Sequence, residues 1–161
     1  MRKATAVPEV GRAMADAPRV LIVEARFYED IADELVAGAV SEIDKRGAVY
    51  DRVAVPGAFE IPAAVKMAHD AGHHHGYIAL GCVIRGETTH YDYVCGESAR
   101  GLNELAIRHG LAIGYGILTV ENREQAWARA ARDRGDKGAH AAGACLEMIA
   151  LRGDFSSGAR W

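Results

Sequence analysis

The chain has only three cysteines, Cys82, Cys95 and Cys145, and no CxxC pair among them. An odd, scattered count argues against a disulfide framework and fits a reducing compartment, the cytoplasm. Excess positive charge is also missing. The 19 Lys and Arg are outnumbered by 22 Asp and Glu, for a net charge of −3, so nucleic acid has no electrostatic footprint to meet. No apolar run is long enough to span a bilayer, which leaves no membrane partner. Residues 1–18 carry charges and lack an apolar h-region, so they do not read as a secretory signal. There is no GxGxxG fingerprint and no P-loop lysine motif, and neither Ser nor Cys sits in a nucleophile elbow. Dinucleotide and nucleotide-hydrolysis readings therefore lack their marks.

What is present is an ordinary globular composition, half apolar and a quarter charged, in a chain of 161 residues, enough for one core. Residues 20–25 form an apolar run with little alternation, the pattern of a strand buried on both faces. A helix is expected over 29–46, because Ile31, Leu35, Ala39 and Ile43 recur every four residues and Gly47 suits its C′ position. Further strands are expected at 50–55, 77–84 and 112–120. Helices are expected at 60–71, 91–109, 123–132 and 139–151. Pro62 is tolerable only in a first helical turn. Thr89 with Asp92 resembles a capping box at the start of the third helix.

Alternation of strand and helix implies an α/β fold: a three-layer αβα sandwich with a four-stranded parallel sheet, of the flavodoxin-like kind. Residues 19–152 read as a single domain, with a loose arm at 1–18 and a loose Gly/Ser-rich tail at 153–161.

In such sheets ligands bind beyond the carboxyl ends of the strands, which brings together loops 26–28, 56–60, 85–90 and 119–122. Loop 85–90 holds small residues, two hydroxyls and a histidine before a helix N-terminus, a place where backbone N–H groups favour an anion. The same residues would also make an ordinary capped helix start, and Glu87 would repel a phosphate. A cation must come from elsewhere, with Arg85, Arg129 and Lys137 available. His90 at the loop's end is suited to proton transfer near neutral pH, or is a plain surface histidine. Phe27 and Phe59 could stack on a flat heterocycle or serve as core aromatics. Glu60 falls in a helix first turn, where a carboxylate is favourable in any case. The tract His73, His74 and His75 lies in a helix-to-strand loop without a carboxylate or cysteine set nearby, and reads as a solvated loop rather than a metal site.

Four blocks taken together carry a resemblance: VPGAFEIP at 55–62, GCVIRGETTHYDYVC at 81–95, GILTVEN at 116–122 with EQA at 124–126, and DKG at 136–138. In this order they resemble the lumazine synthase family of riboflavin biosynthesis, over about residues 20–151. The resemblance implies condensation of a ribitylamino-pyrimidinedione amine with a dihydroxybutanone phosphate through a Schiff base, with loss of phosphate and no metal or organic cofactor. It implies that Phe27 stacks on the pyrimidine and that Ala58, Phe59 and Glu60 line the ribityl site. Cys82, Val83 and Ile84 would hold the pyrimidine edge. Glu87 and Thr88 fall where the family binds phosphate, His90 matches its proton-transfer residue, and Arg129 its phosphate-binding arginine. Tyr115 and Lys137 fall at pyrimidine-site positions, Tyr115 at one usually supplied by a neighbouring subunit.

Three positions depart from the family pattern. Tyr28 follows Arg26-Phe27 where Asn is frequent, Tyr115 replaces a common Phe, and Asp136 precedes Lys137-Gly138 where Asn is usual. The resemblance further implies a homo-oligomer built on pentamers, with active sites between subunits and riboflavin synthase as a candidate partner. The arm does not read as a firm added strand, which favours a pentamer or decamer over a sixty-subunit shell. A flavin- or lumazine-binding module with little turnover, or a shell-forming scaffold, is the alternative. Retention of His90 and Arg129 favours the enzyme.

Overall fold

The computed structural model describes residues 17–158. The arm expected at 1–18 therefore lies almost wholly outside the described residues. Four strands, β1 (Arg19–Ala25), β2 (Val49–Val55), β3 (Gly76–Ile84) and β4 (Ala112–Val120), form one parallel sheet in the order β2-β1-β3-β4. Among the described residues the helices are α1 (Glu29–Lys45), α2 (Ile61–Ala71), α3 (His90–His109), α4 (Arg123–Ala130) and α5 (Lys137–Ser157). A 3-10 turn, Ala58–Glu60, precedes α2. None of these helices is long and apolar enough to cross a membrane.

Alternation along each strand sends side chains into two cores, which makes the expected three layers. Val20, Ile22, Ile78, Leu80 and Leu118 face α1, α4 and α5, where Ile31, Leu35, Ala39, Ile43, Cys145 and Leu146 pack. Leu21, Val23, Tyr77, Ala79 and Ile117 face α2 and α3, against Ile61, Val65 and Leu102. The four-residue apolar repeat of α1 is fully buried, and Gly47 adopts a positive φ just past its end, as the pattern predicts. At Gly138 a Cβ would land on the Leu35 carbonyl oxygen, so only glycine lets the start of α5 lie against α1.

The structure departs from the sequence reading at three element ends. Thr89 is the N-cap of α3, but its side chain makes no cap bond. Its backbone is already helical, and Asp92 is drawn instead toward Arg85 Nη1 at 3.4 Å. Helix α4 stops at Ala130 rather than residue 132. Ala131 is extended, and the Arg132 N–H donates to Glu34 Oε2 at 2.9 Å. Helix α5 continues to Ser157, past the expected stop at residue 151. Arg152 holds it by donating to the Gly110 and His75 carbonyls at 3.1 and 2.6 Å. The histidine tract fastens the start of the sheet. His74 Nε2 lies 2.7 Å from Asp51 Oδ2, and His75 Nδ1 accepts from the Arg19 N–H at 2.9 Å.

Candidate active site

Beyond the carboxyl ends of β1, β2 and β3 opens a cleft of about 560 Å³. Its first wall is the exit of β1, with Ala25, Phe27 and Tyr28. Its second is the turn after β2, from Pro56 through Ala58 and Phe59 to Glu60. Cys82, Val83 and Ile84 form the floor, and α3 closes the far side with His90 and Val94. Chain order alone brings these together: each strand delivers its following loop to the same edge of the sheet.

The floor has a particular property. β3 pairs with β1 only as far as Leu80, while its ladder with β4 runs on to Ile84. The Arg85 N–H donates to the Val120 carbonyl, so residues 83 and 85 direct their main-chain groups toward β4. By alternation, Cys82 and Ile84 direct theirs to the side that β1 has vacated, which is the cleft. Donors and acceptors in fixed positions are therefore offered to whatever lies there. The rim is apolar and wet: Phe27 is 76% exposed and Phe59 55%. Two exposed rings at the mouth of a cleft mark a surface made to be covered.

The loop at 85–90 is exposed throughout, and the Thr88 hydroxyl accepts a hydrogen bond from the His90 N–H at 3.3 Å. The N-terminus of α3, whose dipole favours an anion, and His90 itself lie beside the cleft, so an anion and a proton shuttle fit there together. Arg85 is not the balancing cation. Its Nε donates to Glu121 at 2.8 Å and its guanidinium lies 4.3 Å over the Tyr91 ring. The Cys82 thiol is pushed up to about 11 by burial, which makes it a wall group rather than a nucleophile.

Of the residues expected from the sequence, Phe27, Ala58, Phe59, Glu60, Cys82, Val83, Ile84 and His90 meet in this cleft, with Glu87 and Thr88 on the loop that leads to His90. Tyr115, Arg129 and Lys137 do not line it. Tyr115 is on the edge strand β4, 44% exposed, in a second recess beside Leu102, Asn103 and Ile113. Arg129 is exposed on α4, with Nη1 donating to the Gln125 carbonyl at 3.0 Å. Lys137 is the exposed first residue of α5. The described residues lining the cleft include Glu60 and His90 but neither Lys nor Arg. Sequence reasoning missed Val94, although it follows His90 by one helical turn and so shares its face.

A family model described as 6,7-dimethyl-8-ribityllumazine synthase matches residues 17–153. The chain belongs to that family. It is 58% identical over 138 residues to "6,7-dimethyl-8-ribityllumazine synthase 1" of Rhizobium meliloti (strain 1021), covering 83% of this chain and 90% of that one. It is 55% identical over 145 residues to the 6,7-dimethyl-8-ribityllumazine synthase of Bartonella tribocorum, covering 89% and 96%. The protein of that name from Nitrobacter winogradskyi is 47% identical over 157 residues, covering 94% and 96%. The family match contains every strand of the sheet and all four loops that meet at its carboxyl edge.

Proposed function

We propose that this chain condenses 5-amino-6-ribitylamino-pyrimidinedione with 3,4-dihydroxy-2-butanone 4-phosphate to give 6,7-dimethyl-8-ribityllumazine, phosphate and water, in the cytoplasm. The observation that carries the reading is the cleft of a family member: an exposed ring, an overhanging strand and a histidine at a helix N-terminus around one space. Phe27 stacks on the pyrimidine, and the main-chain groups at Cys82 and Ile84 hold its edge, with Val83 between them. Ala58, Phe59 and Glu60 take the ribityl chain, Glu60 accepting hydrogen bonds from its hydroxyls. The amine attacks the ketone carbon, and water leaves to form the Schiff base. A proton leaves the carbon beside the imine as the C–O bond to phosphate breaks, its electron pair leaving with the phosphate. The enol so formed becomes a ketone, the ribitylamino nitrogen attacks it, and a second water leaves as the ring closes. His90 takes the proton from the attacking amine and returns protons to the departing oxygen. Main-chain N–H groups at Glu87 and Thr88, with the α3 N-terminus, hold the phosphate.

A guanidinium is needed to balance that phosphate, and among the described residues none lines the cleft. We therefore assign Arg129, Tyr115 and Lys137 to the cleft of an adjacent copy in a pentamer-based oligomer, with riboflavin synthase as the consumer of the product. Lumazine formation from the two substrates, followed by absorbance with a chelator present, tests the activity. Absence of product from an assembled protein would sink it. Co-assembly tests the sharing: His90→Ala and Arg129→Ala chains, each impaired alone when the butanone phosphate is limiting, should regain a fraction of turnover when refolded together. No recovery would place all these residues in one chain's site.

A further inference from the structure

Glu24 breaks the pattern of the strand that carries it. Val20, Ile22 and Glu24 face one core in succession, the first two fully buried and apolar, and the third a carboxylate only 3% exposed. A buried ion pair is a poor way to stabilise a strand, since an apolar side chain there would serve as well or better. We propose that Glu24 is a positioning residue for the aromatic half of the cleft. Its single carboxylate grips Arg26 and Arg52, and through them sets the places of Phe27 and of the turn that carries Phe59 and Glu60.

The geometry is that of a hub. Glu24 Oε1 accepts from Arg26 Nη1 at 2.8 Å and from Arg52 Nη2 at 2.9 Å, and Oε2 accepts from Arg52 Nε at 2.8 Å. Arg26 spans the connection, its Nη2 donating to Asp33 on the second turn of α1. Between Arg26 and Glu29, the first residue of α1, stand only Phe27 and Tyr28. Tyr28 is the N-cap of α1 without a side-chain cap bond, and Phe27 is mostly exposed, touching Tyr28 edge-on at 4.9 Å. Packing does not hold the Phe27 ring, so its place follows from the backbone that Arg26 clamps. Arg52 does the same on the other wall. It lies on the edge strand β2, four residues before Pro56, where the second wall of the cleft begins. Planar guanidinium forks fix direction as well as distance, which a lysine cannot do.

The inference rests on the function proposed above, because it assigns Phe27 and Glu60 to the pyrimidine substrate. Glu24→Gln keeps the volume and one acceptor but loses the charge that both guanidiniums share. The KM for the pyrimidine amine should rise about tenfold, roughly 1.4 kcal/mol of binding. At the same time kcat and the KM for the butanone phosphate should stay within about twofold. Arg26→Lys, which keeps the positive charge at a half-buried site outside the two apolar cores, should give the same split. In a Phe27→Ala background Glu24→Gln should add little, since the partner it positions is gone. An unchanged pyrimidine KM, a fall confined to kcat, or full additivity with Phe27→Ala would overturn the inference. If Glu24→Gln fails to assemble, Arg26→Lys decides. If the wild type itself forms no lumazine, the proposed function has failed. Calorimetric affinity for the pyrimidine amine, compared between wild type and Arg26→Lys, then still decides the positioning role.

Discussion

Removing the Phe27 ring separates a binding role from a structural one with unusual clarity, because the ring is 76% exposed. A phenylalanine buries roughly 200 Å² when fully packed. With about a quarter of that covered here, the burial lost in Phe27→Ala is near 50 Å², or about 1 kcal/mol at ~25 cal/mol per Å², an upper bound. For a chain of this size that is a melting shift of about 2–4 °C. A fully buried ring would instead cost about 3–5 kcal/mol. A flat heterocycle stacked on the ring loses more than the fold does, about 1–3 kcal/mol by analogy with base stacking on aromatic side chains. That predicts a rise of roughly 5- to 150-fold in the KM for the pyrimidine amine, at nearly constant kcat and constant KM for the phosphate substrate. Steady-state lumazine formation with each substrate varied in turn, alongside a thermal melt, reads both quantities. A melting loss well beyond this range with an unchanged pyrimidine KM would show that the ring supports the fold, and would refute the stacking assignment.

His90→Ala should lower kcat by about 10²–10⁴-fold without changing the melt or particle size, since the residue is exposed at the start of α3; unchanged turnover would remove it from the mechanism. Arg129→Ala should raise the KM for the butanone phosphate and leave that for the pyrimidine alone, and an effect confined to the pyrimidine would contradict its assignment. Gly138→Ala should destabilise by about 1–3 kcal/mol or more, because its Cβ meets backbone of α1, whereas Gly153→Ala, with open space around it in the same helix, should gain about 0.5–1 kcal/mol; denaturant midpoints compare the two. Burial pushes the Glu24 carboxyl up, but hydrogen bonds from Arg52 and Arg26 outweigh it and hold the group below its ordinary value. A depressed folded value means stability that is present above the unfolded pKa, near ~4.3, and lost as pH falls through the folded one. Chemical denaturation below about pH 4.3 should therefore show a shallower acid loss for Glu24→Gln than for wild type, and equal slopes would show that the carboxylate is not held this way.

How much of this could be read in the chain depends on whether the signal is local. The sheet, its two faces and the α1 stripe follow from periodicity, since a residue at every fourth position must share a face whatever surrounds it. The cleft residues follow from connectivity, because parallel strands deliver their loops to one edge and 56–60 and 85–90 could not have gone elsewhere. Three kinds of feature are not local, and periodicity alone gives none of them. The ends of α4 and α5 depend on distant partners: Glu34 draws the chain out of helix at Arg132, and the Gly110 and His75 carbonyls keep a Gly/Ser-rich segment in helix through Arg152. Glu24 left a trace, an acid within an apolar run, but its meaning came only from Arg26 and Arg52 beside it in space. Tyr115 shares a face of β4 with Ile113 and Ile117, where periodicity predicts burial, yet it is 44% exposed beside a recess on an edge strand. Together with a cleft that no Lys or Arg lines among the described residues, this exposure is what the proposed sharing of sites between copies would require of each chain.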